Sequence, residues 1–531
     1  MGRKTSKSII DGRNISIRFI MLLTLMIIVI LLVEFLILQS LLAQGENLAP
    51  ASSENIEAGK RIYMKKCQYC HGVDGEGDGP ASAFLDPPPR DLTRARYKII
   101  STGSGELPTD QDIFNVISNG IPDTSMPAWS SLKEKEKWQT VLYVKTLAER
   151  FDWYKQIKKV PEIVKIANPP HATKESIERG REIYMKKLEC WKCHGESGRG
   201  DGPSAIKLTD EWEHPIKAAN LTKPWKFKIG SAQKDIYRTI ITGIAGTPMP
   251  AFLTGNTEEE LWDLTNYVTS LGIKNRPQKT TVLRPLFIPG NLTEDLEDPL
   301  WNGIEAREFT LFGQILLAPK LYTPSINEIY VKSIYNDKEI AFLIEWDDAN
   351  QSSPGTTEEG DVIYADALAI QFPSQIPETP ESPRPFFLMG NPTLPVNLWL
   401  WNSDSNTFME ANAEGVNRKK FQSEKNSDIK GKVAYKQGQY KLLVKRNLTT
   451  SDKTDDIQME YNKFIPIAFF VWDGHNGETE SKMAVSTWHY LFLEKKETGR
   501  NVLYSILAIL FTIIAEIIFV KRIRRNAIST Q

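Results

Sequence analysis

Four cysteines are present in 531 residues, and all four stand in two Cys-x-x-Cys-His motifs: Cys67, Cys70 and His71, then Cys190, Cys193 and His194. This is the attachment signature of a c-type haem. One helical turn brings both sulfurs and the imidazole to the same porphyrin face. The thiols then form thioethers to the haem vinyls, and the adjacent His becomes the proximal iron ligand. A zinc site would need two more ligands per motif, and no other Cys remains. A thioredoxin-like dithiol does not need the following His.

The sixth iron ligand is expected to be a Met. Met126 lies 55 residues after His71, and Met249 lies 55 after His194. Each is followed by proline (Pro127, Pro250). Met64 and Met185 also match each other, but each sits on the helix leading into its own Cys motif and is rejected as a ligand. His171 and His214 have no matched partner and read as surface residues. His/Met ligation gives a six-coordinate iron of raised potential, with no open position for substrate.

These residues belong to two copies of one unit. IEAGKRIYMKKCQYCHGVDGEGDGPAS from Ile56 matches IERGREIYMKKLECWKCHGESGRGDGPSA from Ile177. DIFNVISNGIPDTSMPAW from Asp112 matches DIYRTIITGIAGTPMPAF from Asp235. Each copy ends in an amphipathic helix with Trp, Tyr and Val at matched steps (Trp138, Tyr143, Val144; Trp262, Tyr267, Val268). Such a long, loosely spaced period is a domain duplication, not a solenoid. Residues 54–276 resemble tandem class I cytochrome c. The glycines after each motif (Gly75, Gly77, Gly79; Gly198, Gly200, Gly202) are expected to let the backbone run close to the haem edge. They do not open a helix of a βαβ unit, so a phosphate-binding loop is disfavoured.

From about Val282 the pattern changes to strands of about 5–9 residues. EIYVKSIY, KEIAFLIEW, ADALAIQF, YKLLVKRNL, IPIAFFVW and STWHYLFL are separated by loops rich in Pro, Ser, Gly and Asp. The expectation is an antiparallel β-sandwich. Asp366-Ala367, Ile370-Gln371-Phe372-Pro373, Pro385 to Gly390, Pro395 to Trp401 and Phe470 to Gly474 are similar to the haem-binding gamma subunits of periplasmic-type molybdenum enzymes. Those include the ethylbenzene dehydrogenase, dimethylsulfide dehydrogenase, chlorate reductase and nitrite oxidoreductase relatives. The resemblance implies one non-covalent b-type haem held by a Met and a Lys, carried here onto Met389 and Lys445. Lys441, two alternation steps away on the same strand face, is the second Lys candidate. His475 and His489 are further alternatives, as is a haem-free binding module. The family does not generally carry two cytochrome c domains or two membrane spans, so the fusion is a departure from it.

Two segments are apolar enough to span a bilayer of about 20 helical residues. Residues 19–43 follow Arg3, Lys4, Lys7, Arg13 and Arg18, which places that end in the cytoplasm. This segment reads as an uncleaved anchor, with a cleaved signal sequence as the rival. Residues 502–520 precede Lys521, Arg522, Arg524 and Arg525. Two spans put both termini in the cytoplasm and the bulk on the extracytoplasmic face. The expected order is a basic segment (1–18), the first span (19–43), cytochrome c domain 1 (54–151), a linker (152–175), cytochrome c domain 2 (176–276), the sandwich (282–497), the second span (502–520) and a tail (521–531).

Lys and Arg total 65 against 66 Asp and Glu, a net charge of −1, which argues against nucleic-acid binding through bulk positive charge. No general base, activated nucleophile or open metal site is visible. The chain reads as two all-α cytochrome c domains followed by an antiparallel β-sandwich with a membrane helix at each end. The expected role is an electron-transfer subunit, not itself an enzyme, carrying two covalent haem c and one haem b. The resemblance implies a molybdenum catalytic subunit of nitrite oxidoreductase or nitrate reductase type, with an iron–sulfur subunit, as partners. A soluble cytochrome or a terminal oxidase would stand on the other side. The alternative is a di-haem donor to a terminal oxidase, with the sandwich as a haem-free docking or ligand-binding module.

Overall fold

The computed structural model describes residues 26, 49–357, 360–379, 381–423, 428–495 and 499–528. The apolar segment 19–43 lies outside the described residues except for Met26. The helices are α1 (Ser53–Lys66), α2 (Gln68–His71), α3 (Asp110–Asn119), α4 (Glu134–Thr146), α5 (Glu149–Gln156), α6 (Lys174–Glu182), α7 (Trp191–His194), α8 (Gln233–Thr242), α9 (Glu258–Leu271) and α10 (Gly499–Ile528). Helix α5 runs into the segment expected to be a linker.

Local chemistry sets the helix limits. Ser52 caps α1, its Oγ accepting from the Asn55 amide at 3.2 Å. Thr109 and Asp112 form a reciprocal capping box at the start of α3, which ends at Gly120 with φ 68°. The second copy has two more residues between its Tyr and first Cys (Tyr184 to Cys190, against Tyr63 to Cys67). A π-helical turn over Ile183–Lys187 stands at this insertion, and Glu189 just after it has φ 49°.

The chain forms two compact units: residues 1–173 with 209–216 and 226–266, and residues 174–208 with 217–225 and 267–531. In the first, α1 and α4 bury Tyr63, Val141, Tyr143 and Val144 with Leu92, Ile113 and Ile117.

Among the described residues the second unit contains two large β-sheets and a two-stranded one (Gly355–Thr356 with Val362–Ile363). The main strands of the large sheets are β1 (Glu328–Tyr335), β2 (Glu339–Asp347), β3 (Ala367–Pro373), β4 (Val396–Asn402), β5 (Phe408–Ala413), β6 (Lys430–Tyr435), β7 (Gln439–Asn447) and β8 (Phe464–Trp472). Among the described residues one sheet has seven strands and holds β1-β2-β7-β6 in that order. The other has nine and holds β5-β4-β3-β8. These neighbours are all antiparallel. Three short edge pairs are parallel, which departs from the all-antiparallel expectation: Gln278–Lys279 with Arg307–Thr310, Leu286–Phe287 with β1, and Val282–Leu283 with His489–Phe492. Residues of both sheets share one core, including Val331, Phe342, Leu442 and Val444 from one and Leu368, Phe372, Trp399 and Phe469 from the other. Period-2 alternation turns the intervening residues outward. Outside the nine-stranded sheet, Ala369, Leu398, Phe470 and Trp472 pack with Leu388, Met389 and Met483. Outside the seven-stranded sheet, Ala341, Leu343 and Leu443 pack with Leu292 and Trp301.

Candidate functional site: two matched Cys-x-x-Cys-His turns

Each Cys-x-x-Cys-His motif closes into a single turn. The amides of Cys70 and His71 donate to the Cys67 carbonyl at 3.1 and 2.9 Å, and those of Cys193 and His194 to the Cys190 carbonyl at 3.2 and 2.9 Å. His71 Nδ1 lies 3.0 Å from the Arg90 carbonyl oxygen. His194 Nδ1 lies 3.0 Å from that of Ala219. A backbone carbonyl only accepts, so Nδ1 carries the proton and Nε2 keeps its lone pair. Burial holds both imidazoles below their ordinary pKa, and so neutral. Burial, with Cys70 adding to it, pushes the Cys67 thiol up to about 12. Burial also pushes the Cys190 thiol up to about 12. Thiols held protonated in this way are poor dithiol redox groups.

The flanking residues repeat the same contacts in both copies. Tyr63 donates to the Gly72 carbonyl at 2.8 Å, and Tyr184 to that of Gly195 at 2.6 Å. The amide of Gly77 donates to the His71 carbonyl at 2.9 Å, and that of Gly200 to the His194 carbonyl at 2.8 Å. A Cβ on Gly79 would sit 2.5 Å from the carbonyl oxygens of Gln68 and Tyr69. On Gly202 it would overlap those of Trp191 and Lys192. Gly79 and Gly202 therefore serve close approach to the Cys-x-x-Cys-His backbone itself.

Met126 and Met249 occupy matching loops. The amides of Ile121 and Ile244 donate to the carbonyls of Met126 and Met249 at 3.0 and 3.1 Å. The hydroxyls of Thr124 and Thr247 accept from the two Met amides at 3.1 and 3.3 Å. Both methionines are half-buried. His71 and Met126 belong to the same unit. His194 lies in the second unit and Met249 in the first. The aromatic neighbours also match: Phe114 stacks on Trp138 at 4.3 Å, and Tyr237 on Trp262 at 4.0 Å.

Unpartnered buried donors supply the test for a haem. Among the described residues, Tyr97 Oη and Trp138 Nε1 are buried without a hydrogen bond, as is Trp225 Nε1 in the second copy. Each such group costs about 1–3 kcal/mol unless something accepts from it. A haem offers carboxylate acceptors and the vinyl carbons that two adjacent thiols require. The residues present therefore fit the group. When bound, it supplies a one-electron iron centre. The protein's part is to present a neutral imidazole, fix its tautomer and shield it.

The second proximal loop is also tied to the seven-stranded sheet. Asn220, next to Ala219, donates through Nδ2 to Asp347 Oδ2 at 2.9 Å, and Arg199 Nε to Asp347 Oδ1 at 3.2 Å. Lys223 is buried between Glu328, at 2.8 Å, and Asp347. Burial alone would lower the lysine's pKa, but Asp347 and Glu328 hold it above the ordinary value.

The structure does not bring Met389 and Lys445 together. Met389 is fully buried outside the nine-stranded sheet. Lys445 pairs across the ladder with Ala341, whose side chain lies outside the seven-stranded sheet. Packed sheets stand about 10 Å apart, so a filled core separates the two side chains and one iron cannot reach both. Lys445 Nζ instead lies 2.7 Å from Glu294 and 3.4 Å from Glu339. Burial opposes its charge, but these carboxylates raise its pKa. The neutral amine that ligation requires is therefore disfavoured. Lys441 shares that outer face and pairs with Glu297 at 3.0 Å. These residues do not fit the haem b assigned to them.

Three family models match successive parts of the chain. Residues 54–144 match the family model for cytochrome c oxidase, cbb3-type, subunit III. Residues 177–272 match that for cytochrome c. Residues 298–425 match that for ethylbenzene dehydrogenase. The chain combines two cytochrome c-type domains, which indicate covalent haem c, with an ethylbenzene dehydrogenase gamma-like domain. It is 27% identical over 194 residues to a Haloferax mediterranei protein, ORF7, whose name proposes a respiratory nitrate reductase heme subunit. The match covers 36% of this chain and 64% of the relative, so the chain spans under two thirds of that relative's length. A chain in the Kuenenia stuttgartiensis reducing HAO-like protein complex Kustc0457/Kustc0458 is 43% identical. The match covers 41% of this chain and 96% of that one, with a TM-score of 0.39. A family 9 carbohydrate-binding module of Caldicellulosiruptor kristjanssonii is 11% identical with a TM-score of 0.26, covering 41% of this chain and 97% of the module.

Proposed function

We propose that the chain is a membrane-anchored, di-haem c electron-transfer subunit of a respiratory oxidoreductase complex. The observation that carries this reading is the duplication of the whole proximal assembly. In each copy a Cys-x-x-Cys-His turn is paired with an imidazole whose Nδ1 is held by a backbone carbonyl. His71 with Met126, and His194 with Met249, are the axial pairs of this proposal. The name of the Haloferax relative favours nitrate or nitrite chemistry in a partner. A molybdenum catalytic subunit and an iron–sulfur subunit are the partners we assign. A soluble cytochrome or a terminal oxidase takes the other side of the transfer. The ethylbenzene dehydrogenase-type domain acts in this scheme as a docking module beside the second haem.

Purification of the complex from native membranes tests this. The pyridine haemochrome spectrum should give two haem c per chain, and the denatured chain should keep both. The partner's substrate should change the haem redox state within the complex. A bare polypeptide mass from a host competent in haem attachment would refute the haem assignment. An acid–acetone-extractable haem in the isolated chain would restore a haem b to the third domain.

A further inference from the structure

Three aspartates meet at one end of the sandwich: Asp348 directly after β2, Asp366 directly before β3 and Asp473 directly after β8. β3 and β8 pair Ala367 with Trp472, which sets Asp366 beside Asp473. One carboxylate oxygen from each of the three lies within 4.8 Å of the others, and all three residues are buried. Two oxygens that bind one Ca²⁺ at about 2.4 Å each can stand up to about 4.8 Å apart, so the spacing suits a shared ion.

The charged groups acting most strongly on Asp348 are Asp473, Asp366 and Glu478. Backbone donors meet only part of the demand. Asp366 accepts from the amides of Ser352 (2.6 Å) and Gly474 (2.8 Å) and from the Tyr440 hydroxyl (2.7 Å). Asp473 Oδ1 accepts from the amides of His475 and Asn476 at 3.0 and 3.2 Å. Asp348 Oδ1 accepts from the Asn350 amide at 3.1 Å.

A separate observation points to a ligand. Among the described residues, Asp348 Oδ2 is buried without any hydrogen-bond partner, and so is Ser352 Oγ; their residues are 4% and 3% exposed. The Ser352 amide donates to Asp366 Oδ2 at 2.6 Å. An unpaired, buried, charged acceptor costs several kcal/mol unless it is neutralised or bound. All the available donors are oxygens, which suits a hard cation and not a thiol- or imidazole-seeking metal.

We propose that Asp348, Asp366 and Asp473 hold a divalent cation of the calcium class. The ion clamps the end of β2, in one sheet, to the ends of β3 and β8, in the other. Its binding free energy adds to the stability of the folded domain.

The test uses the full-length, haem-loaded chain. After dialysis against EGTA, stoichiometric Ca²⁺ is returned, free ion is removed, and bound metal is measured by elemental analysis beside the thermal midpoint. One Ca²⁺ per chain and a midpoint several degrees higher than in matched NaCl are expected. Asp348→Asn and Asp473→Asn should each weaken Ca²⁺ binding at least tenfold while leaving covalent haem content at the wild-type value. Mg²⁺ and Mn²⁺ are run in parallel, and equal or stronger effects from either would overturn the calcium assignment. A wild-type chain that retains no divalent ion, with the same midpoint in EGTA and in Ca²⁺, would overturn the site itself. The wild-type measurement decides even where a variant fails to fold.

Discussion

A thioether and an imidazole stabilise ferric iron to different extents, which gives the Met loops a direct reading. Met126→His and Met249→His should each lower the potential of one haem by on the order of 0.1 V, within the ~0.8 V over which axial ligands act. A spectroelectrochemical titration of both variants checks this; two unchanged potentials would remove these methionines from the iron. The glycines carry a second expectation at this scale. Gly79→Ala places a Cβ against the carbonyls of Gln68 and Tyr69, which cannot move without opening the attachment turn. Covalent haem yield in that variant should fall to a small fraction of wild type, read by haem staining. Gly103→Ala, whose Cβ would meet only the Glu106 side chain at 3.8 Å, should keep the haem. The cysteines, histidines and methionines were legible because their types are rare and their spacing repeats. The carbonyls of Arg90 and Ala219 were not, since every residue has one and side-chain identity does not mark it. Tyr63 and Tyr184 stood in the repeat in plain view, yet only the fold shows what their hydroxyls reach.

Strand periodicity sorts side chains into two faces but does not say what lies beyond each face. That is why β1, β2, β3, β7 and β8 could be read from sequence while the role of Lys445 could not. Its strand puts Tyr440, Leu442, Val444 and Arg446 inward and Lys441, Leu443 and Lys445 outward. The resemblance singled out a Lys on the outward side. The inward cation, Arg446, is wholly buried and lies 2.7 Å from an equally buried Glu410. Strands β4, β5 and β6 were missed, being short or broken by polar residues that face the edge or partner groups. Burial, opposed by Arg446, raises the Glu410 pKa to about 7. A carboxyl with a raised folded pKa binds more protons folded than unfolded. Its stabilising contribution is full below the ordinary Glu value of about 4.3 and is lost as pH rises through about 7. Glu410→Gln should remove that part of the slope, measured as the thermal midpoint between pH 4.5 and 8. An identical slope in the variant would place the titration elsewhere.

The two cytochrome copies differ where the second meets the third domain. Arg94 and Lys223 stand at equivalent positions, each after Leu-Thr. Arg94 has a side chain 59% exposed and pairs with Asp91 three residues away. Lys223 is 6% exposed between two carboxylates. Breaking a buried pair by removing one partner costs about 3–5 kcal/mol, whereas an exposed pair is worth at most about 1 kcal/mol. Lys223→Ala should therefore lower the denaturation midpoint of the holoprotein markedly, and Arg94→Ala hardly at all. The lysine's folded pKa is raised, so its contribution is full below the ordinary Lys value and is lost only in strongly alkaline solution. A duplicated sequence shows that two copies exist; it does not show which copy is built into a neighbour. At the chain's other end, Tyr504–Arg522 of α10 is long and apolar enough to cross a membrane, with Phe511 75% exposed. With Lys521, Arg522, Arg524 and Arg525 at its end, a reporter fused after Gln531 should be active only as a cytoplasmic one. A fusion that reports the outer face would reverse that orientation.

The sequence separations within these contacts set an order of assembly. His71 finds its carbonyl 19 residues later and His194 finds its own 25 later. The strand at Val282–Leu283 waits for Tyr490 and Leu491 before its ladder exists. Closing a short loop is fast, and pairing distant strands is slow. As the chain emerges from its N-terminal end, both Cys-x-x-Cys-His turns can form while the sandwich is still an open set of hairpins. Haem attachment thus has a time window of its own, and a lesion in the late strands should leave a haem-bearing but unfinished protein.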